Sequence, residues 1–525
     1  MVSDFGAIVG FCGCPFRLSL EIPSAKLRGM SSPSSLSADR KQVNPAGSPE
    51  RDRQPGEAGR TILHIGLGAF HRAHQAVYLH RLRQQGDTSW SIVGGNIRSD
   101  ADATAVALAA QHGEYTLETV SPAGDREYER ITSIVEVVPH DPALARLIDV
   151  GSQPATRIIS FTVTEGGYYL GLKTRLNEAH PDLQADLSGS NCTIYGAISA
   201  ILRMRKLRGA GPVTLLSCDN LRSNGSVFRA GLLDFLHRRG EAGLARWVEA
   251  CTSCPSGMVD RITPRPTVEL VARVKRATGR DDLAPVMSER FSQWVVEDRF
   301  VAGRPAWDAV GVEMVDSVHA HEEAKIRILN ASHSCIAWAG TLLGLAFIHQ
   351  AAAVPEIRQM AWRYVTDDVI PCLDTAAKPS SIALHRYRDV VLERFGSPFL
   401  SDTNERVATD SYSKIPAFVV PTLRERIAQD LPVDSTAILP ALFFAFLSRW
   451  HAGTLPYAYH DSLMDSTAAH AFFSAADPLQ AYCCDPALWT DLAGNPMLTG
   501  AVRAAHERLQ PFLLQTLVPA FSRSA

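Results

Sequence analysis

A short apolar strand, a glycine turn and a helix succeed one another near residue 65, and this feature constrains the fold more than any other. Residues Ile62–Ile65 have the length and apolar character of a buried strand. Gly66 and Gly68 form a G-x-G turn, and Ala73–Leu82 has helical spacing. This sequence of elements makes up the first half of a dinucleotide-binding fold, whose glycines let the backbone approach a pyrophosphate. Because G-x-G turns are common, the turn indicates such a site only in combination with further strands and helices.

Further predicted strands alternate with helices, which predicts an α/β fold with a doubly wound, largely parallel sheet. Ligands of such sheets bind beyond the carboxyl ends of the strands. Polar clusters come directly after two of the predicted strands, at residues 164–167 and 218–220. The predicted strands after the first are Trp90–Val93, Ile131–Val138, Arg157–Val163 and Val213–Ser217.

The character of the sequence divides the chain into three segments. Residues 1–57 end in a Ser-, Pro-, Arg- and Asp-rich run that is typical of a disordered extension. Residues 58–312 contain the alternating strands and helices, and we expect a dinucleotide-binding domain of Rossmann type. Strand signals fade beyond, so residues 313–525 are predicted to form a mostly α-helical domain for substrate binding and catalysis. The active site is expected in the cleft between the last two segments.

The stretch KIRILNASHSCIAWAG (325–340) places three polar side chains in apolar surroundings. In an uninterrupted α-helix, Lys325, Asn330 and His333 lie at about 0°, 140° and 80° around the axis and share one broad face. A buried lysine can be neutral, and a neutral lysine can take a proton from an alcohol as hydride leaves the same carbon. An asparagine amide can hold the oxygen that becomes negative. The alternative is a snorkelling lysine, a kinking or capping asparagine and a core histidine.

The residues that distinguish NAD from NADP leave the choice open. An acidic side chain after the second strand normally holds the adenosine ribose, and Asp100 or Asp102 could do so here. Arg98 could instead bind a 2′-phosphate. We expect NAD, with NADP as the alternative. His71 occupies the place of the usual third glycine, and we interpret His71 and His74 as polar residues on a helix surface rather than metal ligands.

Composition excludes several classes of function. The net charge of -3 argues against a nucleic-acid surface or an anionic membrane as partner. No apolar run reaches the ~20 residues of a membrane-spanning helix. The 10 cysteines lack the spacing of a zinc site, so we expect no metal, and reduced cysteines in a cytoplasmic protein. The sequence leaves the oligomeric state open, a monomer included.

Six motifs resemble, in order and spacing, those of the polyol-specific long-chain dehydrogenases, the mannitol dehydrogenase family. This resemblance covers about residues 60–520 and implies metal-independent oxidation of a polyol to a ketose with NAD. Segments such as 95–122 and 439–457 resemble the branch that acts on D-arabinitol, which implies D-xylulose as product. The motifs are G-x-G-x-F-H-R-A-H-Q (66–75), T-V-T-E-G-G-Y (162–168), S-C-D-N (217–220), M-V-D-R-I-T-P (258–264), Q-W-V-V-E-D-R-F (293–300) and K-x-R-x-L-N-x-S-H (325–333).

Other activities remain as alternatives. Within the family these are oxidation of D-mannitol to fructose and reduction of fructuronate. Outside it they are a zinc-dependent polyol dehydrogenase and a sugar sensor without catalysis. The zinc enzyme would need a Cys, His and Glu ligand set, and the sequence shows no such spacing.

The resemblance also implies catalytic roles. Lys325 would be the general base, Asn330 and Asn220 would hold the alkoxide oxygen, and Glu322 would help pass the proton to water. Apart from the resemblance, Asn220 could instead cap the next helix. The cofactor would be bound by Gly66, Gly68, Phe70, His71, Arg72 and Asp100.

Four further residues would bind the polyol. His333, catalytic with Lys325, would contact a substrate hydroxyl, as would Asp260. Arg406 and Lys414 match a pair that contacts the polyol. Apart from the resemblance, Asp260 could form an ion pair with Arg261, and Arg406 and Lys414 could simply be solvated.

Overall fold

The apolar run before the glycine turn lies near the centre of a parallel sheet. Its side chains alternate between two buried faces, with Ile62 packing on one side and Leu63 on the other. A strand of this kind needs cover on both faces, and crossover helices provide it. The computed structural model describes residues 59–99, 102–171 and 175–515. The predicted disordered segment 1–57 and Asp100 lie outside the described residues.

Six strands form the large sheet, in the order β5-β2-β1-β6-β7-β8, and all neighbours are parallel. Counted within this sheet the order is 3-2-1-4-5-6, which is that of the Rossmann fold. The predicted fold class is confirmed. The strands of the described residues are β1 (Arg60–Ile65), β2 (Trp90–Gly95), β3 (Tyr115–Val120), β4 (Arg126–Ile131), β5 (Ile134–Val138), β6 (Thr156–Phe161), β7 (Val213–Ser217), β8 (Thr252–Ser253), β9 (Gly257–Asp260), β10 (Val286–Glu289), β11 (Gln293–Glu297) and β12 (Glu313–Val315).

Two small sheets accompany the large one. They have the orders β10-β3-β4 and β12-β11-β9. The single strand predicted over Ile131–Val138 is wrong, because β4 pairs with β3 and β5 pairs with β2, so the chain changes sheets between them. β9 matters most for the site, since it ends at Asp260 and carries Val259 just before it.

Helices cover both faces of the large sheet. The helix predicted over Ala73–Leu82 is divided at His74, whose φ of -127° and ψ of -89° are not helical. The α-helices of this part are Ala69–Ala73, Gln75–Gln84, Asp102–Ala110, Ala145–Gly151, Pro181–Leu187, Ile194–Arg208, Asn224–Arg238, Ala242–Cys251 and Val268–Thr278, with 3-10 helices at Glu165–Tyr168 and Trp307–Val310.

Helices dominate the rest of the chain, as predicted, and no β-strand comes after β12 among the residues described. Their apolar faces meet in one large core that includes Trp338 and Phe443. The domain boundary near residue 313 stays a prediction. The α-helices are His319–Ala324, Ala331–Leu342, Ile348–Ala352, Pro355–Arg363, Ile370–Leu373, Leu384–Phe395, Asn404–Ala408, Ser411–Lys414, Val420–Ala428, Ile438–His451, Ser466–Phe472, Pro478–Cys483, Pro486–Trp489 and Pro496–Leu514, with π-helices at Lys325–Asn330, Tyr364–Val369 and Ile415–Val419 and a 3-10 helix at Thr490–Leu492.

Candidate active site

A cavity of about 630 Å³ lies beyond the carboxyl ends of β1 and β6, where the strand order of the large sheet reverses. Gly66 has a φ of +105°, and a Cβ atom there would lie 2.2 Å from the carbonyl oxygen of Thr162, so only glycine fits. At Gly68 no atom lies within 4 Å of the Cβ position, which leaves the backbone open to a ligand. Both glycines line the cavity and fit a pyrophosphate held against the turn.

Three residues predicted to bind the cofactor do not line this cavity. His71 is buried and stacks on His64 with ring centroids 3.3 Å apart. Arg72 is buried and donates to a backbone carbonyl, while Phe70 stacks on His74 at 5.0 Å. His74 is buried too, so the interpretation of His71 and His74 as surface residues is wrong. The helices after the turn pack their side chains into the apolar core on the face of β1 that carries Ile62.

The choice between NAD and NADP is not decided by the described residues. Arg98 lines the cavity and forms an ion pair with Asp182 at 2.9 Å, with about half of its side chain exposed. Asp100 does not belong to the described residues. Arg98 is therefore near enough to contact a bound dinucleotide, but it already has an anionic partner.

The segment that carries the candidate base is a π-helix, Lys325–Asn330, inserted between two α-helices. The uninterrupted α-helix expected here is therefore wrong. Hydrogen bonds in a π-helix join residues five apart, so Lys325 and Asn330 stand nearly one above the other rather than about 140° apart. Both side chains line one small cavity. Single π-turns within α-helices are frequent at functional sites.

The buried amine of Lys325 makes two hydrogen bonds, to Oδ1 of Asn220 at 2.6 Å and to the carbonyl oxygen of Val259 at 2.5 Å. Burial lowers the pKa of Lys325, and the nearby carboxylate of Asp260 offsets part of that shift. A neutral amine has two N–H groups, which these acceptors satisfy, and one lone pair, which stays available for a proton. The geometry therefore suits a base that works nearer neutral pH than an exposed lysine does.

Two side-chain amides flank the amine. Because Oδ1 of Asn220 accepts from Lys325, its Nδ2 group remains a donor, and this amide assignment follows from the lysine contact. The Asn330 side chain makes no hydrogen bond to any residue that the structure describes. Asn220 does not cap the next helix, whose N-cap is Ser223. Two free amide donors beside a buried amine can stabilise an alkoxide oxygen.

Asp260, predicted to bind substrate, is buried in an ion pair with Arg394, with Nη1–Oδ2 and Nη2–Oδ1 distances of 2.7 and 2.9 Å. Arg394 also donates to both oxygens of buried Glu289, at 2.9 and 2.7 Å. Burial acts to raise the pKa of Asp260, but the Arg394 guanidinium outweighs it and the pKa is lowered. The alternative partner, Arg261, donates instead to the backbone carbonyls of Ala73 and Glu289.

A second carboxylate, Asp402, joins two other predicted substrate-binding residues. Nε and Nη2 of Arg406 donate to its two oxygens, both at 2.6 Å. Nε2 of His333 lies 3.3 Å from Oδ2 of Asp402, and the ring stacks on Phe395 at 4.5 Å. Lys414 donates to two backbone carbonyls, and burial lowers its pKa to about 8. His333, Arg406 and Lys414 do not line the cavity beside Lys325.

Glu322 lies on the wall of that cavity, one turn before Lys325. Its Oε1 accepts from the backbone N–H of Ser223 at 2.8 Å, while its buried Oε2 has no hydrogen-bond partner among the described residues. Burial raises the pKa of Glu322. A carboxyl group with one unpaired oxygen and a raised pKa can both accept and release a proton near the lysine.

The cavity beside Lys325 has a volume of about 30 Å³, enough for one or two water molecules. Sequence reasoning missed three charged residues that hold this region together: Arg394, Glu289 and Asp402. The partners of Arg394 lie far away in sequence, 134 residues for Asp260 and 105 for Glu289, so no local spacing indicates that cluster. Asp402 and Arg406 are only four residues apart, but the sequence motifs did not include Asp402.

Two features are absent from the part of the chain that the structure describes. Across the described ranges, no group of three or more His, Cys, Asp and Glu side chains is arranged to hold a metal ion. None of the helices in those ranges combines the length and apolar composition needed to cross a bilayer. A doubly wound sheet with a glycine turn at its switch point, joined to a pocket with a buried lysine, is the arrangement of a dinucleotide-dependent dehydrogenase.

Comparison with known proteins specifies the family. Residues 60–309 match the mannitol dehydrogenase Rossmann domain, and residues 317–510 match the mannitol dehydrogenase C-terminal domain. The chain therefore belongs to the mannitol dehydrogenase family, and the predicted membership is confirmed.

Individual relatives are similar over most of their length. D-arabinitol 4-dehydrogenase of Ralstonia nicotianae is 57% identical over 86% of this chain and 96% of its own. D-arabinitol 4-dehydrogenase of Klebsiella pneumoniae is 56% identical over 83% and 95%. The solved ternary complex of Pseudomonas fluorescens mannitol 2-dehydrogenase with NAD and D-mannitol is 34% identical, covers 87% of this chain and 93% of its own, and has a TM-score of 0.75.

Proposed function

We propose that the chain oxidises D-arabinitol to D-xylulose with NAD, in the cytoplasm and without a metal. The two relatives named D-arabinitol 4-dehydrogenase support the substrate, and the NAD complex of the mannitol 2-dehydrogenase supports the cofactor. The observation that carries the proposal is the buried amine of Lys325, because its two acceptors leave its lone pair for a substrate proton.

The cavity at the switch point fits a dinucleotide. Its volume of about 630 Å³ is large, the Gly66 turn excludes any side chain, and the backbone of Gly68 is open. These two glycines and the strand-end segment 162–167 would hold NAD. Bound NAD supplies the hydride acceptor for the reaction. NADP stays the alternative.

Lys325 performs the acid–base step in this mechanism. Its neutral amine accepts the hydroxyl proton of the polyol as the carbon atom loses hydride. The amides of Asn220 and Asn330 donate to the oxygen while it carries negative charge, before the carbonyl forms. The π-turn is what places the second amide above the amine.

Glu322 removes the proton from the site. The ammonium of Lys325 must lose its proton before the next turnover, and Glu322 on the same cavity wall has an unpaired buried oxygen to take it. The raised pKa of Glu322 makes it a better acceptor than an exposed glutamate. From there the proton passes to water.

The remaining polar residues select the substrate. A polyol is neutral and rich in hydroxyls, so its site needs several converging donors and acceptors. We assign this role to His333, Asp260, Arg406 and Lys414. Asp260 keeps its charge through Arg394, and its remaining lone pairs can accept from a hydroxyl.

The test is a panel of substrates with purified protein, monitored by the absorbance of reduced nicotinamide. D-arabinitol with NAD should have the highest kcat/KM among D-arabinitol, D-mannitol, D-sorbitol and xylitol, and a chelator should not change it. Lys275→Ala, which removes an exposed lysine paired with Asp281, is a matched control that should keep full activity. No detectable oxidation of any of these polyols would refute the proposal.

D-mannitol oxidation is the second candidate. It is favoured by the 34% identical mannitol 2-dehydrogenase, whose complex contains D-mannitol. A higher kcat/KM for D-mannitol than for D-arabinitol would select it. Activity with fructuronate and reduced cofactor, but with no polyol, would instead place the chain among the uronate reductases.

A further inference from the structure

Asp219 lies between the dinucleotide cavity and the lysine cavity, and its side chain is buried with 6% of the residue exposed. Its carboxylate accepts hydrogen bonds from three groups of the loop after β6. These are the backbone N–H of Val163 at 3.0 Å, the backbone N–H of Thr164 at 2.9 Å and the hydroxyl of Tyr168 at 3.0 Å. One carboxylate thus fixes a loop whose residues Val163, Thr164, Gly166 and Gly167 line the dinucleotide cavity.

That loop contains a strained residue. Thr164 has a φ of 62° and a ψ of 169°, a region of backbone space that is almost restricted to glycine. A β-branched residue keeps such a conformation only where its surroundings impose it. The backbone N–H of this strained residue donates to the carboxylate of Asp219.

Asp219 is also connected to the lysine cavity through the main chain. Asp219 directly precedes Asn220, which accepts from Lys325 at 2.6 Å. The backbone carbonyl of Asp219 accepts from Nδ2 of Asn224 at 2.9 Å, which fixes the main chain at this point. A shift of the Asp219 main chain would therefore move the Asn220 amide relative to the cavity where NAD would bind.

We propose that Asp219 is a positioning residue, which holds the Val163–Gly167 wall in its strained conformation and fixes Asn220 relative to it. This inference rests on the proposed function, since it assumes that the large cavity binds NAD. It assigns to Asp219 no contact with substrate. Its effect passes through Thr164 on one side and Asn220 on the other.

A double-mutant cycle tests the link to Thr164. The variants are Asp219→Ala, Thr164→Gly and the pair, and the measurement is the dissociation constant of NAD by calorimetry, without substrate. Asp219→Ala should weaken NAD binding about tenfold in the wild-type background, and less than about threefold in the Thr164→Gly background. Glycine adopts the conformation of residue 164 without strain, so in the Thr164→Gly background the loop needs the Asp219 carboxylate less.

Two further variants separate positioning from folding. Asp465→Ala also removes a carboxylate that accepts from two backbone N–H groups, in a helix cap away from both cavities, and should leave NAD binding unchanged. Asp219→Asn keeps one acceptor oxygen and should lie between wild type and Asp219→Ala in both NAD affinity and kcat. If the alanine variant does not fold, the asparagine variant with and without Thr164→Gly completes the cycle.

The outcomes distinguish this inference from the proposed function. The positioning role would be overturned if Asp219→Ala weakened NAD binding equally in the wild-type and Thr164→Gly backgrounds, or did not weaken it at all. This holds even if the wild-type chain oxidises D-arabinitol. If the wild-type chain binds NAD with the predicted coupling but oxidises no polyol, the proposed reaction fails and the positioning role stands. Absence of NAD binding to the wild type would overturn both.

Discussion

Replacing Arg394 with methionine removes the cation from a buried cluster of two carboxylates. The substitution deletes four hydrogen bonds of 2.7 to 2.9 Å and leaves Asp260 and Glu289 without a charged partner. The three side chains are only 5 to 7% exposed, so water cannot take the place of the guanidinium. Removing one partner of a buried ion pair costs about 3–5 kcal/mol. We expect the free energy of unfolding at pH 7 to fall by about that amount.

Urea unfolding monitored by tryptophan fluorescence measures this loss. Arg424→Met is the control, because its partner Asp491 and Arg424 itself are 59% and 46% exposed, and such a pair contributes below about 1 kcal/mol. Adding Asp260→Asn and Glu289→Gln to Arg394→Met should restore most of the stability, since no unpaired charge then remains. A loss no larger than that of Arg424→Met would refute the reasoning.

The same variant should also shift the pH dependence of polyol oxidation. Burial is the largest effect on the pKa of Lys325 and lowers it, and the Arg394 cation lowers it further. The carboxylates of Asp260, Glu165 and Glu322 raise the pKa. Without that cation the pKa rises, so neutral Lys325 appears only at higher pH. The acid limb of kcat/KM should therefore move to higher pH in Arg394→Met, and a limb that moves to lower pH would contradict the assigned charges.

Two further substitutions test the assigned roles. Asn330→Ala should lower kcat about a hundredfold without changing NAD affinity, because it removes one donor to the alkoxide; an unchanged kcat would exclude that role. Asp402→Asn should raise KM for the polyol more than it lowers kcat, since Asp402 holds His333 and Arg406. Asp389→Asn, which changes a carboxylate that is 62% exposed in its pair with Arg388, is its control, and equal KM values in the two variants would exclude the role of Asp402.

Four strands of the large sheet, β1, β2, β6 and β7, could be predicted because each carries a local signal, whereas β5 was merged with β4 and the two-residue β8 was missed. Parallel strands buried on both faces are apolar runs, and the glycine turn after β1 identifies the switch point. The small sheets were missed. Their strands are short, and although β3 and β4 form a hairpin, β10 joins β3 and β11 joins β9 from distant parts of the chain, so these pairings have no local pattern.

The sequence located the segment that carries Lys325 and Asn330, but it did not predict the geometry of that segment. Apolar spacing cannot distinguish a π-turn from an α-helix over six residues, and this difference moves Asn330 above Lys325. The resemblance of 66–75 to a cofactor motif likewise could not show that His71 and Arg72 turn into the core. A motif fixes residue types along the chain, while the direction of each side chain depends on the packing of the helix.

The ion pairs around the site could not be predicted either. Asp260 was given Arg261 as its alternative partner, yet Arg261 lies just beyond the end of β9 and donates to the backbone carbonyls of Ala73 and Glu289. Its true partner, Arg394, lies in the amphipathic helix Leu384–Phe395, where an arginine is most often solvated. Only the tertiary fold, which brings Arg394 to Asp260 at the end of β9 and to Glu289 at the end of β10, makes that arginine a buried counter-ion.

Single-turnover oxidation of D-arabinitol by Lys325→Ala, at saturating NAD and across pH, tests the central claim most directly. The account predicts a loss of about 10²- to 10⁴-fold near neutral pH with NAD affinity unchanged, because only the proton acceptor is gone. Lys275→Ala should behave as the wild type. Turnover near the wild-type rate in Lys325→Ala, with the same pH dependence, would contradict the assignment of Lys325 as the base.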